Sequence, residues 1–161
     1  MHWPDVTDNG IVYTFRHLDP FDLYAQIGGE DVRIVFTFGF HIFTDEKGNG
    51  VTLTHQGETR SFCKQRFQDS FQAVHFLQNR LLDSYTTPYV TKKGRQQFFC
   101  LDLYDYALFL TVQKSQDAEN ELKCRVVSAY SLDQWGKHSI PRGKAVRMRY
   151  VLDKKNRGEK I

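Results

Sequence analysis

The stretch Val32-Arg33-Ile34-Val35-Phe36-Thr37-Phe38-Gly39-Phe40-His41-Ile42-Phe43-Thr44 decides the fold. Val32, Ile34, Phe36, Phe38, Phe40 and Ile42 fall on one face at a strict period of two. Arg33, Val35, Thr37, Gly39, His41 and Phe43 fall on the other. An extended strand sorts side chains in this way, so residues 32–44 predict a strand that packs its first set inward. Towards the N-terminus, Ile11–His17 predicts a strand after the Asn9-Gly10 turn. Leu18–Ile27 predicts a short helix, with Pro20 in its first turn and Gly28-Gly29 as its stop. Towards the C-terminus, the Gly48-Asn49-Gly50 turn leads into Val51–His55, a hairpin partner for the Phe-rich strand.

A helix is predicted over about 62–82, with Ser61 as its N-cap. Phe67, Phe71, Val74, Leu77 or Gln78, and Leu81 keep a helical period opposite Gln65, Gln68, Asp69, Gln72 and Asn79. After Pro88 the pattern returns to strands at about 89–92, 96–102, 104–114, 122–131 and 145–152, with a long loop over Leu132–Lys144. Residues 153–161 read as a frayed basic tail. The expectation is therefore one α+β domain over 1–161: a largely antiparallel sheet, one long amphipathic helix and a short N-terminal helix.

The 161 residues suffice to bury a core unaided, and a hydrophobic fraction of 40% argues against disorder. The chain shows no run of the roughly 20 apolar residues that spans a bilayer, nor a signal peptide after Met1. Cys63, Cys100 and Cys124 are too few and too far apart for a disulfide framework or a metal knuckle, which fits a reducing cytosol. Charge is uneven. Residues 1–80 carry 7 basic and 10 acidic side chains, residues 81–161 carry 15 and 9. The basic second half points either to an anionic partner, most commonly nucleic acid, or to a solvated basic tail.

Several residues could carry chemistry. His41 could act as a general base, since imidazole titrates near neutral pH, or simply bond a neighbour such as Thr44. Arg66 and Ser70, four residues apart on one helix face, could grip a phosphate; Arg66 could equally pair with Asp69 on the surface. Ser128 and Tyr130, at the exit of a strand, could contact a phosphate or stack on a base, or be ordinary packing residues. Lys144, Arg147 and Arg149 could track phosphates, the two arginines alternating outward on the last strand, or could simply be solvated on an exposed sheet with no ligand. The scattered histidines form no metal-ligand motif, and no phosphate loop, dinucleotide signature or Gly-x-Ser-x-Gly elbow is present, so no cofactor is expected.

Phe38–Thr44, Arg66-Phe67 with Ser70, and Val127–Tyr130 together resemble a group of small bacterial mobile-element and stress-adaptation proteins. In architecture, a helix followed by a curved sheet bearing His, Arg, Ser and Tyr resembles the ribonuclease toxins of the barnase, EndoU, colicin and RelE group. That resemblance implies metal-independent RNA cleavage, with the ribose 2′-OH attacking the adjacent phosphate. It implies His41 as base and Arg66 with Arg147 or Arg149 as phosphate clamp. Ser128 and Tyr130 would orient substrate, Thr44, Ser70 and Lys144 would line the site, and a neutralising protein partner would be expected. The alternative is a non-catalytic module that binds nucleic acid or protein.

Overall fold

A computed structural model of the chain describes residues 2–91, 93–94, 96–103, 105–132 and 140–161. Residues 133–139 of the expected loop, with Lys92 and Tyr104 at two expected strand ends, lie outside the described residues. The chain opens with a hairpin of β1 (Val6–Asp8) and β2 (Ile11–Tyr13). It continues through β3 (Phe21–Ile27), β4 (Glu30–Phe38), β5 (Thr44–Asp45), β6 (Thr52–His55) and β7 (Glu58–Phe62). Helix α1 (Lys64–Asn79) follows, then β8 (Tyr85–Val90), β9 (Gln97–Asp102), β10 (Tyr106–Lys114) and β11 (Glu121–Ser131). The short β12 (Val146–Arg147) leads into helix α2 (Met148–Asn156).

The main sheet has the order β12-β8-β9-β10-β11-β4-β3, and β5-β7-β6 forms a small second sheet. Among the described residues its pairs are antiparallel except one: β4 runs parallel to β11. The sheet is therefore mixed, not antiparallel throughout. Val32, Ile34, Phe36 and Phe38 are buried, as their period of two predicts. They meet Leu122, Cys124 and Val126 of β11 and the apolar sides of both helices in one cluster reaching from Trp3 to Leu152. Cys100 and Cys124 are buried thiols, each pushed up to about 12 by burial. No helix among the described residues is long and apolar enough to cross a membrane.

The remaining differences from the sequence reading are local. Residues 21–27 form a strand, not a helix. Phe21, Leu23, Ala25 and Ile27 alternate with exposed Asp22, Tyr24 and Gln26, and Gly28-Gly29, both at positive φ, make the two-residue turn into β4. Of residues 11–17, only Ile11–Tyr13 is strand, followed by a 3-10 turn over Arg16–Leu18. The Phe-rich strand stops at Phe38, and Phe40–Ile42 is another 3-10 turn. β6 pairs with β7 rather than with β4. Helix α1 is capped by Cys63, whose sulfur accepts from the Arg66 amide, because Ser61 and Phe62 are already committed to β7.

The expected last strand is mostly helix α2. It buries Met148, Val151 and Leu152, a spacing of three and four. Residues 153–156 of the expected tail belong to α2: Asn156 is buried and donates to Asn120, its carbonyl accepts from Lys114 Nζ, and beyond the helix Glu159 pairs with Lys154 and Arg157.

Candidate functional site

The end of β4 sets the site. The Gly39 amide donates to the Val126 carbonyl at 2.8 Å, a bond that ends the parallel ladder. A Cβ on Gly39 would lie 3.3 Å from the carbonyls of Val126 and Val127 and 3.4 Å from Arg125 Nη2, so the close approach of backbone and guanidinium favours glycine. The 3-10 turn then buries Phe40 and Ile42 and leaves the His41 ring partly exposed between them.

A second element reaches the same place. β6 and β7 are joined by Gln56 and Gly57, both at positive φ, which makes His55 and Glu58 the closing pair of the hairpin. Glu58 extends to His41 so that its two carboxylate oxygens lie 2.9 and 2.8 Å from Nε2. β11 supplies Arg125 from the sheet face not covered by the helices, opposite Thr37 and Thr111. His41, Glu58, His55, Gln56 and Arg125 thus share a cleft of about 250 Å³. Among the described residues, Arg125 makes no ion pair and no side chain bonds His41 Nδ1.

This arrangement can move a proton beside an anion. A carboxylate accepting from Nε2–H holds the imidazole in the tautomer whose Nδ1 lone pair is free to take a proton. A nearby guanidinium can hold a phosphate through two parallel hydrogen bonds. Among the described residues, no three His, Cys, Asp or Glu side chains gather as a metal site requires.

Other candidates stand behind the cleft. Arg66 is buried, and its Nη1 donates to the carbonyls of His41 (2.9 Å) and Thr44 (2.8 Å). Burial is the first cause that pulls its guanidinium below the usual arginine range. It is therefore tied to the backbone that carries His41, with the Tyr130 ring 5.5 Å from Cζ. Thr44 is fully buried; its hydroxyl donates to the Phe40 carbonyl and accepts from Arg60 Nε.

Ser70 is also fully buried. It donates to the Phe67 carbonyl and lies 2.7 Å from His17 Nε2, so the imidazole must be the donor. His17 stacks on Phe71 at 3.7 Å, and burial lowers its pKa to about 4, against a smaller upward pull from Asp19. The serine hydroxyl is thus committed to the Phe67 carbonyl and the imidazole to the serine oxygen. Tyr130 stacks on Phe109, and Ser128 sits opposite Phe109 where β11 bulges. Arg147 and Arg149 share a groove with Tyr85; Arg147 lies 5.7 Å from the Tyr85 ring and Arg149 donates to the Gln26 carbonyl. They leave β12 at the start of α2 instead of alternating along a strand. Lys144 is exposed on the segment before β12.

Contacts join His41, Thr44, Arg66 and Tyr130 in one neighbourhood, but of the nine candidates only His41 lines the cleft; Ser70, Ser128, Lys144, Arg147 and Arg149 lie elsewhere. Glu58, His55 and Arg125 were not singled out from sequence. The signal for the first two was His55-Gln-Gly-Glu58, a hairpin turn flanked by alternating residues.

The model of the YjaZ family matches residues 5–155, nearly the whole chain. The chain belongs to the YjaZ family. The match takes in every residue of the cleft and both helices of this YjaZ-family chain except Asn156. No curated protein and no solved structure matches it. The family description names no reaction.

Proposed function

We propose that the cleft cleaves RNA without a metal ion, by attack of a ribose 2′-OH on the adjacent phosphate. The observation that carries this reading is the His41–Glu58 pair, with Nε2 2.8 Å from the carboxylate, beside Arg125. Glu58 fixes the imidazole, and Nδ1 of His41 takes the 2′-OH proton. The 2′ oxygen bonds to phosphorus, the bond from phosphorus to the 5′ oxygen breaks, and that oxygen takes a proton from water. The product is a 2′,3′-cyclic phosphate, and His41 returns its proton to solvent. Arg125 holds the charge that builds on the phosphate oxygens. Arg66 assists by holding the His41 carbonyl in place.

The test is incubation of wild type, His41→Ala, Glu58→Gln and Arg125→Ala with total cellular RNA in excess EDTA. Wild type should yield discrete fragments with cyclic phosphate ends. His41→Ala should slow cleavage about 10²–10⁴-fold, the range for loss of a general base, with an unchanged melting temperature. Intact RNA with the wild type sinks the enzymatic reading.

A second reading is a non-catalytic RNA-binding module, favoured by the exposed Tyr85 ring with Arg147 over it and Arg149 in the same groove. In that case RNA stays whole, binding falls steeply with salt, and Arg147→Ala weakens it while His41→Ala does not.

A further inference from the structure

Arg125 belongs both to the cleft and to the sheet face that the helices leave uncovered. On that face β11 also carries Lys123, two residues nearer its start and about 7 Å away along the strand. We propose that single-stranded RNA reaches the cleft along this face, with a phosphate flanking the scissile one held at Lys123. The inference rests on the RNA reading above and gives that site the direction in which its substrate extends.

The register lays this face out in rows. Arg125 stands between Thr111 of β10 and Thr37 of β4, and Lys123 between Gln113 and Val35. Each row thus holds one exposed cation between uncharged neighbours. Hydroxyl and amide groups beside the cations add donors for phosphate and sugar oxygens. The next row differs. Arg33 stands between Glu121 and Tyr24, and its guanidinium is held by Asp22 at 2.8 Å and by Glu121 at 3.2 Å. Two carboxylates outweigh one guanidinium, so the positive charge on this face ends at Lys123.

Lys123 is held far more loosely than Arg33. Its ammonium lies 3.7 Å from Asp117, but the two side chains are 54% and 86% exposed, and such a pair contributes little and yields to a phosphate. Arg125 leans the other way, with Nη2 close to Gly39 at the cleft. The two cations are therefore spread along β11. That spacing suits a polyanion laid over the strand better than a lone phosphate, which could meet only one of them. Glu58 sits in the same cleft, and its carboxylate repels a polyanion, which steers the strand towards Lys123.

Binding is measured with a single-stranded 2′-deoxy oligonucleotide, which lacks the attacking hydroxyl and stays whole on the wild-type protein. Fluorescence anisotropy over a series of salt concentrations gives the slope of log affinity against log salt. Each phosphate contact on a single strand contributes about 0.7 to that slope. Lys123→Gln should lower the slope by about 0.7 and weaken binding about fivefold at 0.1 M salt, the loss that slope implies relative to 1 M. Lys64→Gln, the same change of charge at an exposed residue of α1 outside the cleft, should alter neither. An unchanged slope in Lys123→Gln, an equal loss in Lys64→Gln, or no binding by the wild type would each overturn the track. Cleavage of total RNA is scored separately. A slope that depends on Lys123 without cleavage keeps the track and sinks the enzyme, while cleavage with an unchanged slope does the reverse.

Discussion

Two buried arginines converge on one carbonyl oxygen: Arg60 Nη2 and Arg66 Nη1 lie 3.0 and 2.8 Å from the Thr44 oxygen. Side chains that look available in the sequence are thereby consumed as scaffold. Arg66→Leu should cost about 3 kcal/mol in urea unfolding, since two buried carbonyls lose a charged donor. Arg66→Lys should recover only part of this, because one ammonium cannot match the guanidinium fork. His17 makes a pH prediction. Its folded pKa is about 4 against 6.5 unfolded, so it stays neutral in the fold while the unfolded chain takes up a proton. Stability is therefore full above about pH 6.5 and falls as pH drops towards 4. Partial solvent screening reduces the loss to the order of 1–2 kcal/mol. The His17→Phe variant should show a flatter profile in thermal melts at pH 4–7.

At the scale of elements, turns decide what reaches the cleft. Gln56 sits at φ 49°, a left-handed conformation that side chains with a Cβ adopt at a cost, just before Gly57 in the β6–β7 turn. Gln56→Asn should stabilise the chain by about 0.5–1 kcal/mol, read as a shift in the urea midpoint at constant slope. The same logic shows what was legible. The strand through Phe36 declared itself, because one face is buried and the other is not. The alternation of Phe21, Leu23, Ala25 and Ile27 was equally present, yet Pro20 and Gly28-Gly29 read as helix punctuation. Glycine pairs stop helices and turn hairpins alike, and only the partner strand tells which. Residues 148–156 failed differently: in a short basic segment, alternating arginines imitate a strand, while Met148, Val151 and Leu152 keep the helical spacing. His41 was legible as a candidate, but its partner Glu58 was not, because their 2.8 Å contact depends on how two turns meet.

At the scale of the molecule, α2 closes the core. Met148, Val151 and Leu152 are fully buried, and burial of such side chains contributes about 1.5–3 kcal/mol each. Their sum rivals the roughly 5–15 kcal/mol by which folded domains are stable. A chain ended at Arg147 should lose its cooperative unfolding transition, visible as a featureless urea titration followed by circular dichroism.

The parallel pairing of β4 with β11 also has a meaning in time. β4 ends at Phe38 and its partner begins at Glu121, so a ribosome must make more than eighty further residues before the two can meet. Until then the exit of β4 has no Val126 carbonyl to hold Gly39, and Arg125 has not been synthesised. The cleft thus cannot assemble before β11 has been made, and whatever chemistry it performs is withheld until then.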